Sequence, residues 1–460
     1  MQVPRLVIAG ATSGVGKTII TTAILYACKK KGMKVQPFKI GPDFIDPTYH
    51  TLVTQRVSRN LDMWMMGKKN ILKCVEDSTQ DCDIIIIEGV MGLFDGLSGK
   101  SEFASTAQVA KLLNASIILV IDASKAARSI AAIALGFLHF DRNLKIAGIV
   151  LNNIAGSRHA KYVSDAFAQR IKAPIIGIVE RDQKMKFKER HLGLIPSSEM
   201  DDKEKKSILE CANIVSDQLN LDKLNIIRKS LDTKTSRGRI YKNTILPSST
   251  KIAVALDESF NFYYQDNLDA LRKEKVELVF FSPVNDSMLP SNIDGIMLGG
   301  GFPEILSDQL ERNCSMKKSI AKAANNEMPI YGECGGLMYL SKSVRGYDKG
   351  KKKIRKMVGI IEADTYMDRK LTLNYTLAEC NSTILGTIFK LRGHEFHYSA
   401  IENIPKDSRF AFSLKRGNGI IDKKDGFVIN NLLASYMHLH FSDRRIPKRL
   451  AESFLKYSHR

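Results

Sequence analysis

The sequence predicts two α/β domains in tandem: an N-terminal doubly wound parallel sheet built around a phosphate loop, and a C-terminal α/β domain built around a cysteine turn. Three observations lead there. Short β-rich runs alternate with helix-length segments through the first half, the pattern left by parallel strands joined through crossover helices. The alternation stops over residues 224–250, in the polar, basic stretch KSLDTKTSRGRIYKNTILPSST. It resumes from Lys251 with KIAVALD, VELVFFSP, GIMLGGG and MPIYGEC, and closes near ASYMHLHF. Domains at 1–225 and 251–460 with a linker at 226–250 follow from these breaks.

In the first half, strands are expected at 6–9, 35–38, 84–87, 116–121, 147–151 and 175–179. The first runs directly into GATSGVGKT, close to the GxxxxGK(S/T) loop that cradles phosphates, with Ala11 at its first glycine position and Gly10 and Gly14 on either side. Gly14 and Gly16 supply the turn, Lys17 neutralises phosphate charge, and the Thr18 hydroxyl is a candidate ligand for Mg²⁺. Strand, loop and helix in this order are specific for a nucleotide site. The second strand leads into KIGPDFIDPTYH and the third lies in IIIIEGVMGLFDG. Carboxylates after parallel strands sit in the crevice where ligands bind. Asp43 and Glu88 therefore join Thr18 as metal candidates, and Asp46 and Asp95 are candidates for substrate activation. Lys39 is placed to hold a second phosphate charge, against the plainer reading of a surface lysine. Asn152, at the end of KIAGIVLNN, is either an adenine reader or a turn-forming asparagine.

In the second half, Cys334 stands in YGECGGLMYL, between a strand-like run and a helix-like one. GxCxG at such a junction is the form of a nucleophile elbow, and the helix N-terminus behind the sulfur is expected to lower the thiol pKa. SYMHLHF supplies His438 and His440 as candidate bases. IMLGGGFPE supplies consecutive backbone N–H groups at Gly299 to Gly301, of which those of Gly300 and Gly301, with that of Gly335, form a candidate oxyanion site; one such donor is typically worth about 2.7–4 kcal/mol. A small buried cysteine in a turn would leave the glycine turn and the histidine strand unexplained. RGHEFHYS carries His394, Glu395 and His397. In a strand the two histidines face opposite sides, which argues against joint metal ligation.

Composition excludes other classes. The longest apolar runs fall well short of the ~20 residues of a membrane helix, and MQVPRLVIAG lacks the shape of a signal peptide. Seven cysteines without a CxxC pair fit a reduced cytoplasm rather than a disulfide framework. The net charge of +20 has three readings: a nucleic-acid or anionic-membrane surface, general lysine-rich usage, or capture of an acidic small molecule. Lysines and arginines are scattered, with one dense run, DKGKKKIRK, expected as an exposed hairpin or loop. The scatter favours general usage, so neither membrane nor nucleic acid is expected as a partner.

The loop and carboxylate motifs resemble the dethiobiotin-synthetase-like branch of P-loop enzymes, in which ATP phosphorylates a substrate carboxylate. Glycine turn, cysteine elbow and histidine strand resemble the class I glutamine amidotransferase domain. That family places a Glu two residues after its His; here His440 stands there, either orienting His438 or packed in the strand. Nearly end to end, the chain resembles the cobyrinate a,c-diamide synthase family, through ATSGVGKT, GPDFIDPTYH, SRNLD, EGVMGLFDG, RHLGL, DESFNFYYQDNLDAL, LGGGFPE, YGECGGLMYL and GHEFHYS. The resemblance implies ATP, Mg²⁺, glutamine and an anionic tetrapyrrole: cobyrinate or, as for members in methanogenic archaea, Ni-sirohydrochlorin on the route to coenzyme F430. It also implies that the strand of His394 and His397 faces the tetrapyrrole or a domain interface. Homodimerisation is left open. Two alternatives stand beside it. A cobyric acid synthase, which amidates other corrin side chains, ends in a form closer to YxHGxF. A partitioning-type binding ATPase explains the first half and the charge, but not Cys334 and His438, and no lysine precedes the loop as that class requires.

Overall fold

The apolar run after Arg5 is buried on nearly every residue, as a central parallel strand must be. In the computed structural model, residues 3–182, 189–190, 193–220, 250–348 and 351–459 are described. The chain forms two units, Met1–Lys242 and Asn243–Arg460. The expected linker falls almost wholly outside the described residues.

The first unit holds a parallel sheet of β1 (Arg5–Gly10), β2 (Val35–Ile40), β3 (Arg59–Leu61), β4 (Ile84–Gly92), β5 (Ser116–Asp122), β6 (Lys145–Ile154) and β7 (Ile175–Glu180). Their order is β3-β2-β4-β1-β5-β6-β7. β1 lies between β4 and β5, so the chain winds outward from β1 in both directions. The crevice at the C-terminal end of β1 is the topological switch point of such sheets. Two helices begin at this edge: α1 (Lys17–Lys30), directly after the phosphate loop, and α2 (Asp46–Thr54). β3 adds a seventh strand to the six expected; three residues leave no alternation to read. A short hairpin, β8 (Glu189–Arg190) with β9 (Gly193–Leu194), follows.

The second unit begins as expected, with parallel strands β10 (Thr250–Ala255), β11 (Val276–Phe281), β12 (Gly295–Leu298) and β13 (Ile330–Glu333). Beyond them the chain departs from simple alternation. β14 (Ser341–Asp348) pairs antiparallel with β15 (Lys351–Lys356), so residues 351–356 of the dense basic run are the second arm of an antiparallel pair. β16 (Ile361–Ser382) and β17 (Gly386–Glu402) form a long antiparallel pair. β18 (Phe410–Arg416) and β19 (Lys424–Ile429) lead back to β20 (Leu432–Ser435), which joins β13 in parallel. The run ASYMHLHF is therefore two strands, β20 and β21 (His438–Leu439), with a turn at Tyr436–Met437. Apolar clusters cover the sheet: one includes Phe260, Leu298, Leu337 and Tyr339, another Leu271, Tyr331, Leu433 and Phe441. Among the described residues no helix is long and apolar enough to cross a membrane.

Candidate functional site

The phosphate loop is closed by glycines that no other residue could replace without strain. Gly14 and Gly16 have φ of 75° and 88°, the region that glycine occupies at no steric cost. A Cβ on Gly16 would lie 2.3 Å from Asn152 Nδ2. That amide reaches across from the end of β6 and donates to the Val15 carbonyl at 2.9 Å. Asn152 thus braces the loop through one N–H of its amide. Lys17 folds back over the loop, its Nζ donating to the Met91 carbonyl at 2.6 Å. Burial first, and the nearby charge of Lys39 second, hold its pKa below the ordinary lysine value.

Behind the loop lies a buried cluster of charges. The Thr18 hydroxyl donates to Glu88 Oε1 at 2.9 Å. Lys39 Nζ donates to the same oxygen at 2.8 Å, contacts Asp46 still more closely, and lies 3.6 Å from Asp43. His50 Nε2 meets Glu88 Oε2 at 2.7 Å and its Nδ1 meets Ser58 Oγ at 3.2 Å. Burial pushes the Glu88 carboxyl up, but the Lys39 charge and the His50 hydrogen bond outweigh it and hold the group ionised. Burial, with Asp43 and Glu88 beside it, raises Asp46 well above the carboxylate range. Asp43 Oδ1 accepts from the N–H groups of Ile45 and Asp46 and so caps the first turn of α2. Asp95 accepts from the Gly92 N–H at 2.9 Å.

One expectation changes here, and one residue comes to light. Lys39 is 3% exposed, so it is not a surface lysine; its ammonium sits among the carboxyl groups of Asp43, Asp46 and Glu88. His50 was not singled out, although its spacing of four from Asp46 places both on one face of α2. The Thr18 hydroxyl and Glu88 are joined directly, and Asp43 lies 3.6 Å from the Lys39 Nζ that also bonds Glu88; among the described residues no three His, Cys, Asp or Glu side chains are arranged to hold a metal ion. The hard oxygens of Thr18 and Glu88 nevertheless suit Mg²⁺, which takes one or two carboxylates and completes its shell with phosphates and water.

In the second unit β13 delivers Cys334 to a sharp turn. Its backbone has φ 46° and ψ −94°, a conformation that costs a non-glycine residue on the order of 1–3 kcal/mol. The turn is held on both sides: the Cys334 N–H donates to the Ser435 carbonyl at 2.7 Å, and the Gly336 N–H to the Gly299 carbonyl at 3.0 Å. A Cβ on Gly336 would lie 2.2 Å from the Leu298 carbonyl oxygen, and one on Gly335 3.1 Å from the Gly301 nitrogen. The oxyanion candidates Gly300, Gly301 and Gly335 therefore converge on the cysteine. Gly299 is engaged elsewhere, its N–H donating to the Tyr263 hydroxyl at 2.7 Å. A Cβ on Gly300 would lie 2.7 Å from His438 Cε1, so the base ring rests against the same turn.

The thiol does not behave as the helix N-terminus suggests. Burial first, then the charges of Glu304 and Glu333, push the Cys334 pKa up. A thiol in this setting needs a base to take its proton. His438, the candidate base, rests against the glycine turn beside the cysteine, and its Nδ1 meets Glu333 Oε2 at 3.1 Å. Glu333 escaped the sequence reading; its one signal was an acid directly before the cysteine. His440 does not stand in for the triad acid. Its Nδ1 accepts from the Ser442 N–H at 3.2 Å, its Nε2 lies 3.8 Å from Asp266, and its ring tilts onto Tyr264.

His394 and His397 are both buried. β17 pairs with β21 so that His394 lies opposite His438. The two rings stack 4.9 Å apart, and His394 Nε2 meets the Tyr264 hydroxyl at 2.7 Å. His397 stacks on Tyr436 at 3.8 Å and its Nδ1 meets the Ser399 carbonyl at 2.7 Å; burial lowers its pKa to about 4. Asp425, also missed, accepts from the N–H groups of Gly426, Tyr436 and Met437 and shapes the turn before His438. Burial pushes its carboxyl up to about 7.

Comparison with known proteins agrees with this division. Residues 6–195 match the family described as the CobQ/CobB/MinD/ParA nucleotide binding domain, and residues 251–446 the CobB/CobQ-like glutamine amidotransferase domain. Relatives named cobyrinate a,c-diamide synthase match almost end to end. The protein of Methanosarcina barkeri is 40% identical over 95% of this chain and 93% of its own length. That of Methanococcus vannielii is 42% identical over 95% and 96%, and that of Dehalococcoides mccartyi strain 195 is 40% identical over 100% and 99%. With the loop, the cysteine elbow and their supporting residues all in place, this chain belongs to the cobyrinate a,c-diamide synthase family.

Proposed function

We propose that this chain converts the a and c acetate carboxylates of a tetrapyrrole to primary amides, using ATP and glutamine. The supporting observation is that one chain carries both a phosphate loop backed by Thr18 and Glu88 and a strained cysteine elbow beside a glycine turn against which His438 packs. Neither site alone accounts for the other.

In the second unit, the Cys334 thiol gives its proton to His438 and the sulfur attacks the glutamine amide carbon. The amide oxygen takes the negative charge beside the N–H groups of Gly300, Gly301 and Gly335. The tetrahedral adduct collapses, the proton held by His438 passes to the leaving nitrogen, and ammonia departs. Water then cleaves the thioester to glutamate. In the first unit, Lys17 and the loop N–H groups hold the phosphates of ATP. A substrate carboxylate oxygen attacks the γ-phosphorus; ADP leaves and an acyl phosphate remains. Ammonia attacks its carbonyl and releases inorganic phosphate. Thr18 and Glu88 would hold Mg²⁺, which offsets the phosphate charge. Asp46 and Asp95 border this site and are proposed to position the incoming carboxylate.

The names of the relatives point to cobyrinate, and the methanogens among them make Ni-sirohydrochlorin the second substrate to test. Purified protein is given ATP, Mg²⁺ and either glutamine or ammonium, with each macrocycle offered separately. Two successive carboxylate-to-amide mass changes on one macrocycle identify the substrate. No mass change on either, with both nitrogen donors, refutes the proposal.

A further inference from the structure

We infer that Glu333, the residue immediately before the nucleophile, is the positioning acid of the glutaminase triad, taking over the task that related domains give to an acid two residues after the histidine. The inference rests on the glutaminase reading of Cys334 and His438. Its geometric basis is independent of the sequence pattern that suggested that reading.

The Glu333 carboxylate is 3% exposed and fixed at both oxygens. Oε1 accepts from the Tyr331 hydroxyl at 2.6 Å and from the Leu439 N–H at 3.1 Å. Oε2 faces His438 Nδ1 at 3.1 Å. A carboxylate of this kind only accepts hydrogen bonds, so the proton of the neutral imidazole resides on Nδ1. Nε2 is then the basic nitrogen, the one required to take the proton of Cys334. Each anchor comes from a different part of the site. Tyr331 lies on β13 itself, Leu439 directly follows the base, and Glu333 is covalently next to the nucleophile. One side chain therefore ties the histidine strand to the cysteine elbow.

The other nearby acids and rings serve different ends. Asp425 binds backbone N–H groups of the turn at Tyr436–Met437. Asp266 lies toward His440. His394 stacks on the face of His438, where it limits tilt without contacting Nδ1 in its plane. With His440 engaged at Ser442, the in-plane partner of Nδ1 is Glu333.

Glu333→Gln in the full chain is the decisive variant. Its amide oxygen can keep the Tyr331 and Leu439 donors, which leaves the NH₂ group facing Nδ1. That arrangement favours the tautomer with the proton on Nε2, which cannot accept from the thiol. The expected result is a fall in kcat for glutamine hydrolysis on the order of 10²–10⁴-fold, as for other triads that lose their acid, with KM for glutamine changed less than about threefold. Ammonium-driven amidation is expected to stay at the parent rate, and Glu333→Asp to recover part of kcat. A merely structural role predicts the reverse, with all activities and stability falling together. A kcat within about threefold of the parent, or a rise in KM at unchanged kcat, overturns the inference. If the Gln variant does not fold, Tyr331→Phe decides: about a fivefold loss in kcat, the share of one hydrogen bond, supports it, and an unchanged kcat overturns it. Cys334→Ser is assayed beside these. Glutamine hydrolysis by that variant would refute the glutaminase reading itself, a failure distinct from that of the Glu333 assignment.

Discussion

Replacing Glu88 with Gln tests the buried cluster behind the phosphate loop. Glu88 is fully buried and accepts from Thr18, Lys39 and His50. Gln keeps its size and removes its charge, so the Lys39 ammonium loses one of its two close carboxylates and one amide N–H group faces a donor. Breaking a buried ion pair on one side costs about 3–5 kcal/mol. For a unit of this size each kcal/mol lowers Tm by about 2–4 °C, so a drop of roughly 6–20 °C is expected. Function should suffer differently from stability. Without the carboxylate beside Thr18, ATP-dependent amidation is lost with glutamine and with ammonium alike, whereas glutamine hydrolysis in the second unit continues. The assay is a thermal scan with and without ATP, followed by amidation with each nitrogen donor at a temperature where the variant is folded. Parent Tm together with parent ammonium-driven amidation would refute the claim that Glu88 joins the charge cluster to the phosphate site.

Cys334→Ser should abolish glutamine-dependent amidation and leave the ammonium-dependent rate, measured as product mass; equal loss with both donors would count against a role confined to glutamine. Gly16→Ala should weaken ATP binding at least tenfold, about 1.4 kcal/mol, since its Cβ would meet Asn152 at 2.3 Å and its φ is 88°; unchanged binding by calorimetry would contradict the loop reading. Burial raises the Asp425 carboxyl to about 7 in the folded state, against about 4 for an unperturbed Asp, so the folded state binds the extra proton between these values. Its contribution to stability is present below about pH 4 and is lost as pH rises toward about 7, up to about 4 kcal/mol across the window. The stability of the parent minus that of Asp425→Asn, read by chemical denaturation, should therefore fall by up to about 4 kcal/mol from pH 4 to pH 7; a constant difference would show that burial does not hold the proton there.

Much of the fold was legible because its signals are local. The run from Arg5 into the glycine loop and α1 is a continuous stretch of chain, and so is the elbow around Cys334. Each follows from backbone conformations that only certain residues adopt. The parallel strands β10 to β13 likewise announce themselves as short apolar runs. What escaped depends on pairing across long separations. Lys39 reads as a free cation until α2 and β4 bring Asp46 and Glu88 to it. Glu333 reads as an ordinary acid until β20 and β21 carry His438 alongside β13. The burial of His394 was hidden for the same kind of reason, since β17 pairs there with β21. The split of ASYMHLHF into two strands was hidden for the same reason, since the turn is held by Asp425, ten residues and more away in the chain.

The claim that a carboxylate is activated by ATP and then receives nitrogen from glutamine has a direct isotopic test. A macrocycle carrying ¹⁸O in its acetate carboxylates is converted with ATP, Mg²⁺ and glutamine labelled with ¹⁵N in its side-chain amide, and both the macrocycle and the released phosphate are weighed. The account predicts ¹⁵N in each new amide and one carboxylate oxygen transferred to inorganic phosphate for every amide formed. Phosphate released without ¹⁸O while amide accumulates, or amides formed without ¹⁵N in the absence of added ammonium, would contradict it.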